Sequence, residues 1–319
     1  MPRITPERAF VGIDVSKEQL DVHARPSGET RSLPHDAAGL KRLLRWLLAL
    51  APRLVVVEAT GGLERRLVRA LSAAGLAVAV VNPRQARRFA QALGLLAKTD
   101  RIDARGLALY AERIRPEPRP QPSPELERLA ALVARRRQLI DLGVQEHNRR
   151  GQAVDALVRR QIERTLALLA RQRAEVEAAL GEAIAADPDW CARRALIQSM
   201  PGAGAGLAHL LIAQLPELGR LSRKQIASLA GLAPHPRDSG RRHQRRSIGG
   251  GRGALRAVLY MAAMSAIRCN PLYRQLHQRL RGCGKPAKLA LVAVMRHMLV
   301  ALNAMLRDNR PWQPALNPA

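Results

Sequence analysis

The stretch from Phe10 to His23 reads Phe-Val-Gly-Ile-Asp-Val-Ser-Lys-Glu-Gln-Leu-Asp-Val-His, and it decides the fold of the N-terminal part of the chain. Two short runs of β-forming residues flank a polar Ser-Lys-Glu-Gln turn, which is typical of a β-hairpin. Downstream, the spacing of apolar residues predicts a helix over 36–50, a buried strand over 54–57, a helix to about residue 74, a strand over 76–81 and two more helices. This order is that of an α/β domain with a mixed sheet.

The middle of the chain is predicted to be helical. Five prolines in residues 116–124 indicate an extended linker. Apolar residues then recur in steps of three, four and seven, which predicts a coiled coil or helical hairpin; a plain amphipathic bundle helix has the same pattern. Gly143 and Gly151 are the expected places for a bend.

The last part of the chain is predicted to be all-helical and basic. Residues 201–206, Pro-Gly-Ala-Gly-Ala-Gly, separate two helical patterns and predict a helix–hairpin–helix-like turn whose amides can face a phosphate. Two further helical segments are expected to end near Asn309. The predicted fold class is therefore α/β followed by all-α, with an α/β domain over 1–118, a coiled-coil region over 119–189 and a basic helical domain over 190–319.

Composition restricts the class of function. The 319 residues contain 53 Lys and Arg against 26 Asp and Glu, a net charge of +27, and residues 190–319 contain 21 Lys and Arg against three acids. Such a basic region predicts a nucleic-acid partner. Aromatic residues are only 3% of the chain, which argues against modules that stack bases on aromatic rings. The three cysteines form no CxxC pair, so neither a zinc site nor a disulfide framework is expected. No apolar run has the length of a membrane span, which predicts a bacterial cytoplasmic protein with no membrane partner.

Four acidic residues stand out by their positions. Asp14 lies within the first apolar strand, Glu58 closes the strand over 54–57, and Asp100 and Asp103 share one face of a predicted helix. We expect the end of the 54–57 strand to lie beside the start of the first strand, and the four carboxylates to converge there. Converging carboxylates repel one another unless cations intervene, and their hard oxygen atoms favour Mg²⁺ or Mn²⁺, with two ions expected.

Each acid also has a purely structural interpretation. Asp100 and Asp103 have basic neighbours with which they could form ordinary helix ion pairs, and Glu58 could cap the following helix. Asp14 within a strand is the hardest to explain in this way. The four together favour a metal site.

A basic segment over 237–256 surrounds two serines, Ser239 and Ser247, with arginine and glycine. Arginines beside a hydroxyl can hold a phosphodiester near a serine nucleophile and stabilise charge on the phosphoryl group. A flexible basic loop that only grips phosphates has the same composition. The residues predicted to bind nucleic acid are Lys224, Arg237, Arg241, Arg242, Arg245, Arg246, Arg252 and Arg256.

Several motifs, in order along almost the whole chain, resemble the DEDD-type insertion-sequence transposases, namely insertion-sequence family one-ten and its eleven-eleven subgroup. The motifs are Val11–Lys17, Val57–Gly62, Ala97–Arg105, Met200–Gly204, Leu229–Pro234, Asp238–Gly240 and Ala257–Ala263. The segment Ile248-Gly-Gly-Gly-Arg252 looks like the subgroup's variant of a further motif.

The resemblance implies a RuvC-like, RNase H-type N-terminal domain whose DEDD metal site is formed by Asp14, Glu58, Asp100 and Asp103. It implies a helical C-terminal domain whose nucleophilic serine falls on Ser239. It also implies a recombinase guided by a structured RNA from its own element, which pairs with target and donor DNA, and strand exchange through a phosphoserine link.

The resulting prediction is an RNA-guided DNA recombinase that uses Mg²⁺ and assembles as a homodimer or homotetramer, because recombination requires two DNA sites held together. Two alternatives remain open at this stage. A metal-dependent junction nuclease would use water as nucleophile and leave no protein on the DNA. A non-catalytic nucleic-acid-binding protein would function with its acids neutralised.

Overall fold

The structure is a computed structural model that describes residues 9–94, 100–118, 122–235 and 247–314. The chain divides into two compact units, Met1–Pro122 and Ser123–Ala319. The second unit contains both the long central helices and the C-terminal helices.

The first unit is built on a five-stranded mixed sheet with strand order β3-β2-β1-β4-β5, as the sequence predicts for an α/β domain. β1 pairs antiparallel with β2 and parallel with β4. The edge strand β3 was not predicted, because its residues are mostly exposed and lack an apolar alternation. The strands are β1 Phe10–Val15, β2 Gln19–Arg25, β3 Thr30–Pro34, β4 Leu54–Glu58 and β5 Val78–Val81.

Four helices cover the two faces of this sheet. They are α1 Ala37–Leu50, α2 Glu64–Ala73, α3 Pro83–Ala92 and α4 Asp100–Ile114. Leucines of α1 and α2 share a core with alternate residues of β1, β2 and β4, whereas α3 and α4 pack on the other face against Phe10, Leu54 and Val56. The alternation of side chains along a strand therefore decides which helices a strand residue faces.

The expected relation between the two acidic strands is wrong in one respect. Ile13 of β1 is the register partner of Val57 of β4, and the two strands are parallel. The end of β4 therefore lies beside the end of β1, not beside its start. Carboxyl ends of neighbouring parallel strands meet at one edge of a sheet, which is where α/β proteins bind ligands.

Gly12 of β1 allows α4 to pack directly on the sheet. A Cβ atom at this position would lie 2.7 Å from the carbonyl carbon of Leu107 and still closer to backbone atoms of Ala104 and Ala108. Since real Cβ atoms do not approach that closely, any side chain here would displace α4. The glycine is thus required by the close contact of helix and strand.

Over residues 123–235 and 247–314, the second unit is helical apart from a two-stranded ribbon. Its elements are α5 Pro124–Gln152, α6 Ala156–Ala185, α7 Pro188–Gln198, α8 Ala205–Gln214, α9 Arg223–Leu229, β6 Pro234–His235, β7 Ser247–Ile248, α10 Gly253–Cys269, α11 Pro271–Gly282 and α12 Ala287–Asp308. One core joins α7 to α12 with the base of the α5–α6 hairpin. α12 is long and apolar enough to cross a membrane, but its apolar side chains lie in this core, as in a core helix of a globular protein.

Two local predictions for this unit need correction. The bend between the long helices falls after Gln152, beside the predicted Gly151 but not at Gly143. Asp155 caps α6 by accepting hydrogen bonds from the amides of Leu157 and Val158. The C-terminal region has three helices instead of two. Asn270 ends α10 and caps α11, and the following proline occupies the first helical position.

Replacing Gly12 tests the contact between β1 and α4. We expect Gly12→Ala to lower the free energy of unfolding by at least about 2 kcal/mol, because the new methyl group overlaps the α4 backbone. Gly106→Ala is the matched control on α4, where a Cβ would meet only ordinary contact at 3.8 Å from the Cβ of Ala90. It should raise stability by up to about 1 kcal/mol. Denaturant unfolding of the three proteins measures both effects; a Gly12→Ala protein as stable as the parent would contradict the packing argument.

Candidate active site and nucleic-acid interface

Asp14 and Glu58 occupy matching positions on neighbouring parallel strands. Each follows directly on one member of the Ile13–Val57 register pair. Adjacent strands are about 4.8 Å apart, so the two acidic residues are neighbours at the carboxyl edge of the sheet. The amide of Val15 donates a hydrogen bond of 3.0 Å to Asp14 Oδ1.

Both residues belong to the sheet face that α3 and α4 cover. Asp14 is two residues after Gly12 in β1, and Glu58 is two residues after Val56 in β4, so each acid shares a sheet face with that residue. Val56 packs in the core that includes α3 and α4, and Gly12 touches α4. The backbone therefore directs both carboxylates to one side of the sheet.

α4 brings its acids to the same edge. Ala104 and Ala108 lie over Gly12, while the Arg115 guanidinium lies 5.6 Å from the centre of the Phe10 ring, so α4 runs antiparallel to β1. The first turn of α4 is consequently at the end of β1 that carries Asp14.

Asp103 and Glu58 line one cleft of about 530 Å³ between α3 and α4. Asp100 begins α4, one turn before Ala104, and its side chain lies outside the described part of the chain. The structure thus puts Glu58 and Asp103 in one cleft and Asp14 at the same edge of the sheet. The backbone of Asp100 lies on the same helix as Asp103.

The donor chemistry of these residues fits a hard divalent cation. All four carry only carboxylate oxygen atoms, the ligands that Mg²⁺ and Mn²⁺ prefer. Among the described side chains, which omit that of Asp100, no three His, Cys, Asp or Glu groups are close enough to share a metal ion. The sharing of one cleft by Glu58 and Asp103 is the geometric support for a site here.

Asp21 is a buried acid that sequence reasoning missed. It is the register partner of Asp14 across the β1–β2 pair and is only 3% exposed. The Ser32 hydroxyl and, at 3.2 Å, the Gln19 side-chain amide donate hydrogen bonds to it. The signal was its place in the second apolar strand of the hairpin, but only the strand register shows that it lies opposite Asp14.

His23, two residues further along β2, is buried under the same face. Burial lowers its pKa, and the neighbouring Arg105 and Arg25 lower it further. This imidazole is therefore neutral at pH 7 and adds no positive charge beside the acids.

Three arginines of α3 were also missed. Arg84, Arg87 and Arg88 line the cleft that contains Glu58 and Asp103. The sequence signal was a cluster of arginines directly after a buried strand, but which helix borders the cleft is visible only in the fold.

The predicted serine nucleophile lies outside the described residues. So do five of the predicted nucleic-acid ligands, Arg237, Arg241, Arg242, Arg245 and Arg246. The ribbon that flanks this segment is described: Pro234 pairs with Ile248 and His235 with Ser247. Ser247, the alternative nucleophile, is exposed on β7.

The remaining three predicted ligands differ in their surroundings. Lys224 is exposed on α9. Arg252 donates two parallel hydrogen bonds of 2.7 and 2.8 Å to Glu217 and a third, of 2.6 Å, to the carbonyl of Gln214. Arg256 donates to the carbonyls of Gly250 and Ala230. That Arg252 and Arg256 bind nucleic acid stays a prediction, and in this structure both guanidinium groups hold the start of α10 in place.

The Pro-Gly turn between α7 and α8 packs inward. Gly202 has φ +96°, and a Cβ here would lie 2.6 Å from the Cα of Ala266 in α10. Gly204 begins α8 without a side-chain cap, and Gly204 and Ala205 are exposed. The amides that could face a phosphate are therefore those of the α8 N-terminus.

Comparison with known proteins shows that this protein is an enzyme of the class that recombines DNA. A DEDD-type IS110 family model, described as a transposase, matches residues 11–158, and a model of the transposase IS116/IS110/IS902 family matches residues 194–278. The two together cover well over half of the chain. The chain belongs to the IS116/IS110/IS902 family of transposases. A DEDD domain indicates use of a divalent metal ion.

Relatives of known origin agree with this class. The pilin gene-inverting protein of Moraxella bovis is 29% identical over 97% of this chain and 99% of its own length, and that of Moraxella lacunata is 28% identical over the same shares. A 42 kDa protein of insertion element IS900 from Mycobacterium paratuberculosis is 40% identical over 39% of this chain and 32% of its own.

The contacts of Arg252 generate a prediction that separates its two roles. Arg252→Lys keeps the charge but loses the two-pronged bond to Glu217, so we expect the free energy of unfolding to fall by about 1–2 kcal/mol. DNA affinity at fixed salt should stay unchanged. Lys224→Gln is the control for an exposed cation: its stability should change by less than about 0.5 kcal/mol. Weaker DNA binding by Arg252→Lys with unaltered unfolding would assign Arg252 to the nucleic acid instead.

Proposed function

We propose that this transposase cuts and rejoins DNA with a metal site formed by the DEDD acids and with Ser239 as nucleophile, guided by a structured RNA of its own element. The observation that carries the proposal is the placement of Glu58 and Asp103 in one cleft, with Asp14 at the matching register position on the neighbouring strand. The full-length relatives that invert a pilin gene support recombination as the overall reaction. The expected location is the bacterial cytoplasm.

In this proposal Asp14, Glu58, Asp100 and Asp103 hold two Mg²⁺ ions. When bound, the ions supply the positive charge that neutralises a phosphodiester during transfer. The protein's contribution is the fixed spacing of the carboxylates, because Asp14 and Glu58 are held by neighbouring strands and Asp103 by a helix packed on Gly12. Burial lowers the pKa of His23, so this imidazole adds no positive charge beside the acids.

The proposed nucleophile is the hydroxyl of Ser239. Its oxygen forms a bond to the phosphorus of the scissile phosphodiester, the bond from phosphorus to the leaving sugar oxygen breaks, and the serine proton is passed on to that oxygen through a base. In the second step a sugar hydroxyl of another strand attacks the phosphoserine and restores the serine. A serine hydroxyl requires activation at neutral pH, by a base that accepts its proton.

RNA guidance and self-association are the remaining parts of the proposal. The α5–α6 hairpin carries exposed apolar side chains at its far end, with Val154 99% and Leu157 58% exposed. Apolar residues at the tip of a helical hairpin favour contact with a second copy. Purification of the full chain with its bound nucleic acid, RNA sequencing and light scattering test both points; a protein that recombines DNA without RNA and as a single protomer would contradict them.

The metal site is tested by Asp103→Asn. We expect strand cleavage of a supercoiled plasmid carrying the two ends of the element to fall at least about 100-fold in Mg²⁺, because the site loses one negative ligand. Nucleic-acid binding should be kept. Asp141→Asn is the control, since Asp141 forms an exposed ion pair with Arg137 on α5. Full cleavage by Asp103→Asn would refute the metal-site assignment.

The nucleophile is tested by Ser239→Ala with Ser247→Ala as its matched partner. Ser239→Ala should eliminate the covalent protein–DNA adduct with metal and nucleic-acid binding unchanged. Ser247→Ala should reduce activity only about twofold to fivefold, the loss of one phosphate contact. Mass spectrometry of the trapped adduct after nuclease digestion identifies the modified serine. A nucleotide on Ser247, or cleavage without an adduct, which indicates water as nucleophile, would overturn the assignment.

A further inference from the structure

The cleft that contains Glu58 and Asp103 has a basic wall, formed by α3. Its polar lining residues on this side are Arg84, Arg87, Arg88 and Gln91. Arg84 and Arg88 are exposed and form no ion pair with any side chain in the described parts of the chain. A cleft of about 530 Å³ with a basic wall and two acids can admit a nucleotide.

α3 is held firmly on the neighbouring helix. Ala86 and Ala90 are buried beside α4, and the rings of Phe89 and Tyr110 meet edge to face at 5.1 Å and 81°. Because residues four apart share a helix face, this anchoring presents Arg84 and Arg88 as neighbours. The two guanidinium groups therefore belong to a helix that is fixed beside the acids. Binding groups on a fixed helix are preorganised for their ligand.

The first turn of α3 carries a charge that the helix dipole disfavours. The first turn contains Arg84 and no acid, and the last turn contains no basic residue. A cation near a helix N-terminus is electrostatically unfavourable, whereas an anion bound there is stabilised. An anionic ligand beside Arg84 would remove this penalty.

We infer that α3 binds the sugar–phosphate backbone of the DNA strand that is cut, with Arg84 and Arg88 contacting its phosphates. The inference rests on the proposed function for the identity of the cut strand. Carboxylates alone repel a phosphodiester, so the cleft needs cationic side chains to draw the strand toward Glu58 and Asp103. The strand beside Arg84 and Arg88 is also beside the acids, and in the proposed function the acids cut DNA. The bound strand is therefore DNA and not the guide RNA.

Arginine-specific chemical labelling of the full-length protein tests the contact directly. A dicarbonyl reagent modifies arginines with and without a DNA duplex of about 30 base pairs, at about 0.15 M salt in EDTA, where screening limits long-range binding. We expect DNA to slow modification of Arg84 and Arg88 by about fivefold or more, as for arginines that contact phosphate. Arg42 and Arg45, exposed on α1 on the opposite sheet face, are internal controls that should change by less than about twofold.

Three results would overturn the inference: unchanged modification of Arg84 and Arg88, equal protection of all four arginines, or protection by an RNA duplex of the same sequence but not by DNA. Because the labelling is done without divalent metal, no strand is cut during it, and it reports contact with the DNA alone. A failure of the metal-site assignment appears instead in the Asp103→Asn cleavage assay.

Paired variants give a second readout. Arg84→Gln/Arg88→Gln should raise the DNA concentration for half-maximal cleavage about tenfold and reduce turnover much less, since lost ground-state binding raises KM. Arg42→Gln/Arg45→Gln should match the parent protein. Glutamine preserves helix propensity and removes the unfavourable charge at the α3 N-terminus, so neither variant should unfold at a lower temperature than the parent. An unchanged KM in the α3 variant would reject the inference.

Discussion

The first unit depends on the direct contact between Gly12 and the backbone of α4. That contact sets the distance of α4 from the sheet and hence the position of its first turn beside the ends of β1 and β4. α3 is attached in turn to α4 through Phe89 and Tyr110. The position of the acids and of the basic wall therefore follows from one missing side chain in the first strand.

The α/β order and the common helix of Asp100 and Asp103 could be predicted from the sequence because both depend on local patterns. Apolar alternation identified the buried strands, and the spacing of Asp100 and Asp103 placed them on one helix. β3 was not predicted because a polar edge strand buries no face and so lacks the apolar alternation of a buried strand. Asp21 was missed for another reason. It lies opposite Asp14 because of the strand register, which depends on the pairing of two segments and not on either segment alone.

In the second unit, two arginines of the basic stretch form hydrogen bonds within the protein. Arg252 and Arg256 lie in a basic stretch, yet both are bonded to carboxylate or carbonyl oxygens of their own unit. Guanidinium groups carry several donors in a rigid fork, so they serve as internal braces as readily as phosphate ligands. Net charge therefore indicates the class of partner, and only the hydrogen bonds separate braces from exposed cations such as Lys224.

The length of the α5–α6 hairpin sets the distance between its tip and the core of the second unit. Val133 is the last residue of α5 in the shared core, and the helix continues to Gln152. At 1.5 Å per residue this free arm is about 30 Å long. A partner that binds the tip of the arm is therefore held about 30 Å from the core. This distance is close to the length of one helical turn of duplex DNA. Shortening both helices by equal numbers of turns would change the reach of the molecule while leaving every surface of its core untouched.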